Sequence, residues 1–82
     1  MIHELKIDTV YYDAVKDGDK TFEIRYDDRG YQKGDAVQLH AWSREYNCYD
    51  STRCVLFATI SYVTSYAQKD GWVVFGLKDV NK

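Results

Sequence analysis

The stretch Gly18-Asp19-Lys20-Thr21-Phe22-Glu23-Ile24-Arg25 places an ammonium, a carboxylate and a guanidinium close together in the chain. On a strand, Glu23 and Arg25 are two positions apart and project from the same face. Arg25 then offers a planar fork of donors and Glu23 two acceptors, a combination suited to a nucleobase edge, a phosphate or a carboxylate. Lys20 has the opposite parity and joins them only if the chain bends before Thr21. The plain alternative is a charge pair on a solvated face, where such pairs stabilise little.

A second cluster lies in Ser43-Arg44-Glu45-Tyr46-Asn47-Cys48-Tyr49, where Arg44 supplies a cation, Tyr46 and Tyr49 supply rings and Asn47 an amide. A flat ring in a loop stacks on a base for ~1–3 kcal/mol, and Tyr31 is a third loop tyrosine. The competing expectation is that these tyrosines cover the ends of a barrel with the hydroxyl wet. Trp42 alternates with His40 and Gln38, opposite Val37 and Leu39, so that face lines a ligand cavity or fills a second small core. His3 and Trp72 read as structural residues. Cys48 and Cys54 lack a Cys-x-x-Cys spacing and a second pair, so no zinc site and no other metal site is expected, and both thiols should be free. No motif calls for a cofactor.

The elements that must position these groups are short. His3 to Ile7 alternates as a strand, Asp8 or Thr9 caps a helix, and Tyr11, Ala14 and Val15 share its apolar face. Gly18 is placed to end that helix in a left-handed conformation. Thr21 to Tyr26 is a second strand, with Thr21, Glu23 and Arg25 on one face and Phe22, Ile24 and Tyr26 on the other. Asp27 to Gly30 and Lys33 to Asp35 are turns, and Ala36 to Trp42 alternates again. Ser43 to Arg53 has no clear period and reads as a long loop over the site, Cys54 to Ser65 as a long strand, and Trp72 to Leu77 as the last strand. The fold class is mostly β with one or two short helices, a small and mostly antiparallel barrel.

Eighty-two residues leave room for one domain, residues 1–82. A net charge of −2 argues against a protein that coats duplex DNA by neutralising phosphates. It leaves room for a locally basic pocket. No apolar run has the roughly 18 residues of a membrane span, and no secretory pattern precedes the first strand, so a cytoplasmic protein is expected.

Gly18-x-Lys20-x-x-Glu23-x-Arg25 resembles the signature of the ASCH (activating-signal-cointegrator homology) domains, a branch of the PUA-like β-barrel superfamily. The flanking His3-Glu4-Leu5-Lys6-Ile7, Asp27-Asp28-Arg29, Gly34-Asp35 and Gly71-Trp72-Val73-Val74-Phe75-Gly76-Leu77 extend the likeness over nearly the whole chain, to a small ASCH-like family of bacteria and their phages. The resemblance implies a small PUA-like barrel that binds RNA or a modified nucleoside or nucleotide in a cleft floored by the signature residues. The ligand-binding candidates are thus Lys20, Thr21, Glu23 and Arg25, with Arg44, Tyr46 and Tyr49 from the loop. Single-stranded bases are reachable in this way, whereas the grooves of an A-form duplex are not. One branch of the superfamily hydrolyses the amide of N4-acetylcytidine with a lysine, a threonine and a glutamate. Here Lys20 would serve as base and Glu23 would orient it, but Glu23 stands where that branch has its threonine. A protein-interaction module that holds a peptide carboxylate in the same cleft is the third expectation.

Overall fold

The computed structural model describes residues 1–81, and the chain runs through β1 (Ile2–Asp8), α1 (Thr9–Lys16), β2 (Phe22–Tyr26), β3 (Ala36–Ser43), β4 (Cys48–Tyr49), β5 (Leu56–Thr64) and β6 (Trp72–Lys78). Five strands form a curled half-barrel in the order β1-β3-β5-β6-β2, and β4 pairs on the end of β3. The β1–β3 pair is parallel, and every other pair is antiparallel. A parallel neighbour requires a crossover, which α1 and β2 supply.

Alternation decides what the curl encloses. His3, Leu5 and Ile7 of β1, Val37, Leu39 and Ala41 of β3, Leu56, Ala58 and Ile60 of β5, and Val73, Phe75 and Leu77 of β6 are all buried on the inner face. A register shift at Ser61 bends β5 between Ile60 and Tyr62. Tyr31 belongs to this core, not to a stacking loop. Its ring lies 4.8 Å from both Phe75 and His3. The structural reading of His3 holds: its Nε2 is 2.8 Å from Asp35 Oδ2, which ties β1 to the turn before β3.

The helix is capped at both ends as its sequence predicts. Asp8 Oδ1 accepts from the Val10 N–H at 2.9 Å. At the other end Gly18, at φ 86°, closes a Schellman motif in which its N–H donates to Val15 and that of Asp19 to Ala14. Eight residues do not hold a helix in water, so packing must. The buried stripe runs through Tyr12 and Val15, and Tyr11 is half exposed. The expected Tyr11 face is therefore rotated by one residue, because the Tyr12 hydroxyl donates to the Cys54 carbonyl at 2.6 Å.

Two further expectations are corrected. The segment from Ser43 to Arg53 is not one long loop. Ser43 ends β3, and Cys48–Tyr49 folds back on Trp42 and Ser43 as a hairpin, with Asn47 at φ 53° in the turn. Trp72 is not core. It sits on the outer face, edge-on to Tyr26 at 6.0 Å.

Candidate functional site

Residues opposite each other in an antiparallel ladder share a face. Glu23 pairs with Phe75 and Arg25 with Val73, both inward residues, so Glu23 and Arg25 look into the curl. The strand is inverted in polarity: its charges point in, and Phe22, Ile24 and Tyr26 point out. A slip of one residue would exchange the two sets. Hydrogen bonds at both ends fix the register, from Leu77 N to Thr21 O at 2.9 Å and from Asp27 N to Gly71 O at 2.7 Å.

Glu23 is 4% exposed. Its Oε1 pairs with the Lys20 ammonium, and its Oε2 accepts from Arg25 Nε at 3.0 Å. The bend before β2 thus brings Lys20 to the pair in spite of its parity. Arg25 also donates through Nη2 to the Lys6 carbonyl at 2.7 Å. The Lys20 ammonium lies 5.0 Å from the ring centre of Tyr11 and 5.3 Å from that of Phe22, both partly exposed. Two cations on one carboxylate leave the cluster one positive charge in excess. Arg25 Nη1 and two of the Lys20 protons remain outside these bonds. Thr21 is exposed, and its carbonyl accepts from Leu77 in the ladder, which fixes the strand and leaves the ionic cluster to the other three.

The second cluster forms elsewhere. Arg44 lies 3.5 Å from Asp8, and Tyr46 and Tyr49 line a concavity of about 450 Å³ with Thr9, Ser43 and the 50–53 turn. Arg53 anchors this region on the helix through Asp13, at 3.0 and 2.9 Å, and also pairs with Asp50. The bidentate Arg53 guanidinium holds the Asp13 carboxyl below its ordinary value, and the Thr52 hydroxyl and amide do the same for Asp50. Burial raises the Tyr12 phenol beside them. Tyr11 and Asp13, two apart on a helix, do not face each other, so the hairpin and the Lys20 cluster flank opposite sides of α1. Arg44, Tyr46 and Tyr49 are not gathered over Lys20, Glu23 and Arg25.

Trp42 and His40 face outward. Trp42 meets Tyr49 edge-on at 5.0 Å and carries the Lys6 ammonium 3.9 Å over its ring, so it builds a small outer cluster. Beside it Glu4, Leu5, Lys6, His40 and Tyr49 line a shallow concavity of about 300 Å³. Among the described residues no group of three His, Cys, Asp or Glu side chains is arranged to hold a metal ion, and Cys48 and Cys54 are free. Nor, among the described residues, is any helix long and apolar enough to cross a membrane.

Sequence reasoning missed the two arginine contacts to β1. Arg29 Nη1 donates to the Glu4 carbonyl at 2.8 Å, two residues along β1 from the carbonyl that Arg25 takes. No local pattern announces a bond across 25 residues of chain.

The fold and its triad, centred on the buried Glu23, define a small β half-barrel with an ionic cluster on its inner face. Residues 2–77 match the model of a domain of unknown function, DUF3850, and the chain belongs to that family. It is also 46% identical over 41 residues to the "Uncharacterized 12.9 kDa protein in GpA 3'region" of Escherichia phage P2. That match covers 50% of this chain and 38% of the phage protein.

Proposed function

We propose that this chain is a binding module of the PUA-like, ASCH kind for RNA or a nucleotide-like ligand, held at Lys20, Glu23 and Arg25. The observation that carries the reading is the triad's charge balance. Two cations on one buried carboxylate leave the cluster net positive, and that surplus charge with its unused donors suits a phosphate or a base carbonyl. The ring of Tyr11 beside Lys20 supplies flat surface on which a base can stack. Glu23 orients the two cations and does not read the ligand itself. The overall charge of −2 favours a short single strand or a free nucleotide over duplex.

Fluorescence anisotropy with short single-stranded RNAs, nucleotides and modified nucleosides tests this. Lys20→Ala and Arg25→Lys should each weaken binding by roughly tenfold or more, the loss of one charge-assisted contact. Their circular dichroism should match the wild type. Equal, weak binding by all three proteins would sink the reading. Release of acetate from N4-acetylcytidine by the wild type would replace it with the hydrolytic one.

A further inference from the structure

The inversion of β2 has an outward consequence. With Glu23 and Arg25 inside, Phe22, Ile24 and Tyr26 stand on the convex face. The ladder aligns them with other outward residues: Phe22, Gly76 and Tyr62 in one row, Ile24, Val74 and Thr64 in the next, and Tyr26 with Trp72 in the third. Phe22, Ile24, Tyr26, Tyr62 and Trp72 are between 39% and 66% exposed. At roughly 200 Å² for each large side chain, they present roughly 500 Å² of mostly apolar surface. That is near the largest apolar patch that ordinary monomers leave in water, about 300–600 Å².

We infer that this face is where a second copy of the chain docks. The first argument is area. Two such faces together bury roughly 1,000 Å², the size at which specific association begins. The second is shape. A two-fold contact needs knob and socket on one surface, and this face carries both. The rings of Phe22 and Tyr62 stand at one end, and a concavity of about 370 Å³ lined by Ile24, Ala67, Gln68, Lys69 and Trp72 opens at the other. A two-fold axis through the middle row, at Ile24 and Val74, sets each copy's rings over the partner's concavity. The third is charge. Those three rows hold no ionisable group other than the tyrosine hydroxyls, and Lys69, the one charged residue that lines the concavity, is exposed, so the rows themselves bring no charge into the contact. The free edge of β2 plays no part, because Arg25 and Arg29 turn it toward β1.

Sedimentation equilibrium over a wide range of protein concentration decides the matter. The wild type should move from 9.6 kDa toward twice that mass as concentration rises. Ile24→Lys and Tyr62→Glu, both at exposed positions, should each raise the dimer dissociation constant by roughly tenfold or more, with unchanged circular dichroism. Tyr46→Glu, on the distant hairpin, should leave it as in the wild type. A wild type that stays at monomer mass throughout overturns the inference. So does a dimer that survives both substitutions, because it then forms through another surface.

Discussion

Arg25 reaches from β2 to the backbone of β1 and donates to the Lys6 carbonyl at 2.7 Å, between the two strands that end the sheet order. Arg29 repeats the contact at Glu4. No backbone ladder joins β1 to β2, so the two guanidinium groups strap the open side of the half-barrel, and alternate carbonyls of β1 are satisfied by side chains instead of a neighbouring strand. Unfolding in urea measures their worth. Arg29→Ala should cost about 1 kcal/mol or less, because that side chain is 43% exposed. Arg25→Ala should cost about 2–3 kcal/mol, because it removes the strap and one of the two cations that hold buried Glu23. Two neutral substitutions would mean that the seam stays closed without them.

The triad is asymmetric in what its members can lose. Glu23→Ala leaves the Lys20 and Arg25 cations close together on an inner face with no anion between them, and should cost about 3 kcal/mol or more. Glu23→Gln keeps the shape and one acceptor, and should cost less. Lys20→Ala should cost least, since Lys20 lies outside the strand and Arg25 still meets the carboxylate. The order Ala worse than Gln at position 23, with Lys20→Ala below both, is read directly from urea midpoints. Any other order would mean that the triad is not organised around its carboxylate.

Much of this arrangement could be read from residue pattern alone, because period-two alternation in β1 and β3, the apolar β-prone run of β6 and the Asp8 and Gly18 caps are local signals. Alternation shows that Glu23 and Arg25 share a face but not which face is inside. Hydrophobicity points the wrong way for Phe22, Ile24 and Tyr26. Only the pairing with Phe75 and Val73 resolves it, and that pairing lies about fifty residues downstream. Tyr12 replaces Tyr11 in the core for a similar reason, a hydrogen bond to Cys54 across 42 residues. The hairpin at Cys48–Tyr49 leaves little trace in the sequence because its strand is two residues long, and Asn47 is its one turn marker.

Three carboxylates set the acid limit of the fold. The His3 ring, the Gln32 amide and the amino terminus hold Asp35 below its ordinary value of 3.8, while Arg53 holds Asp13 and Thr52 holds Asp50. A carboxyl with a depressed folded value binds its proton first in the unfolded chain. Its contribution is therefore complete above about pH 4 and is lost as the pH falls through the lower, folded value. Stability followed by chemical denaturation should be level near neutrality and drop steeply below about pH 4. Asp35→Asn and Asp13→Asn should each lower the neutral plateau and make the acid decline shallower. A variant with a lower plateau and an unchanged slope would show that its carboxylate contributes packing and not charge.

Gly71 and Gly34 both have positive φ, 82° and 93°, yet they stand in different surroundings. A Cβ at Gly34 would meet nothing within 4 Å, whereas at Gly71 it would lie 2.6 Å from Tyr26 Cε1. Gly34→Ala should therefore cost only the left-handed penalty of about 1–2 kcal/mol. Gly71→Ala should cost more, since the Tyr26 ring must swing off the turn as well. In a Tyr26→Ser background the collision is gone, and the cost at Gly71 should fall to that at Gly34, a coupling that a double-mutant cycle isolates. Because the Tyr26 ring belongs to the proposed docking face, Gly71→Ala should also weaken self-association, while Gly34→Ala should leave it unchanged. Equal penalties at the two glycines with Tyr26 present would show that the ring yields freely, and would remove this route for testing the face through its backbone.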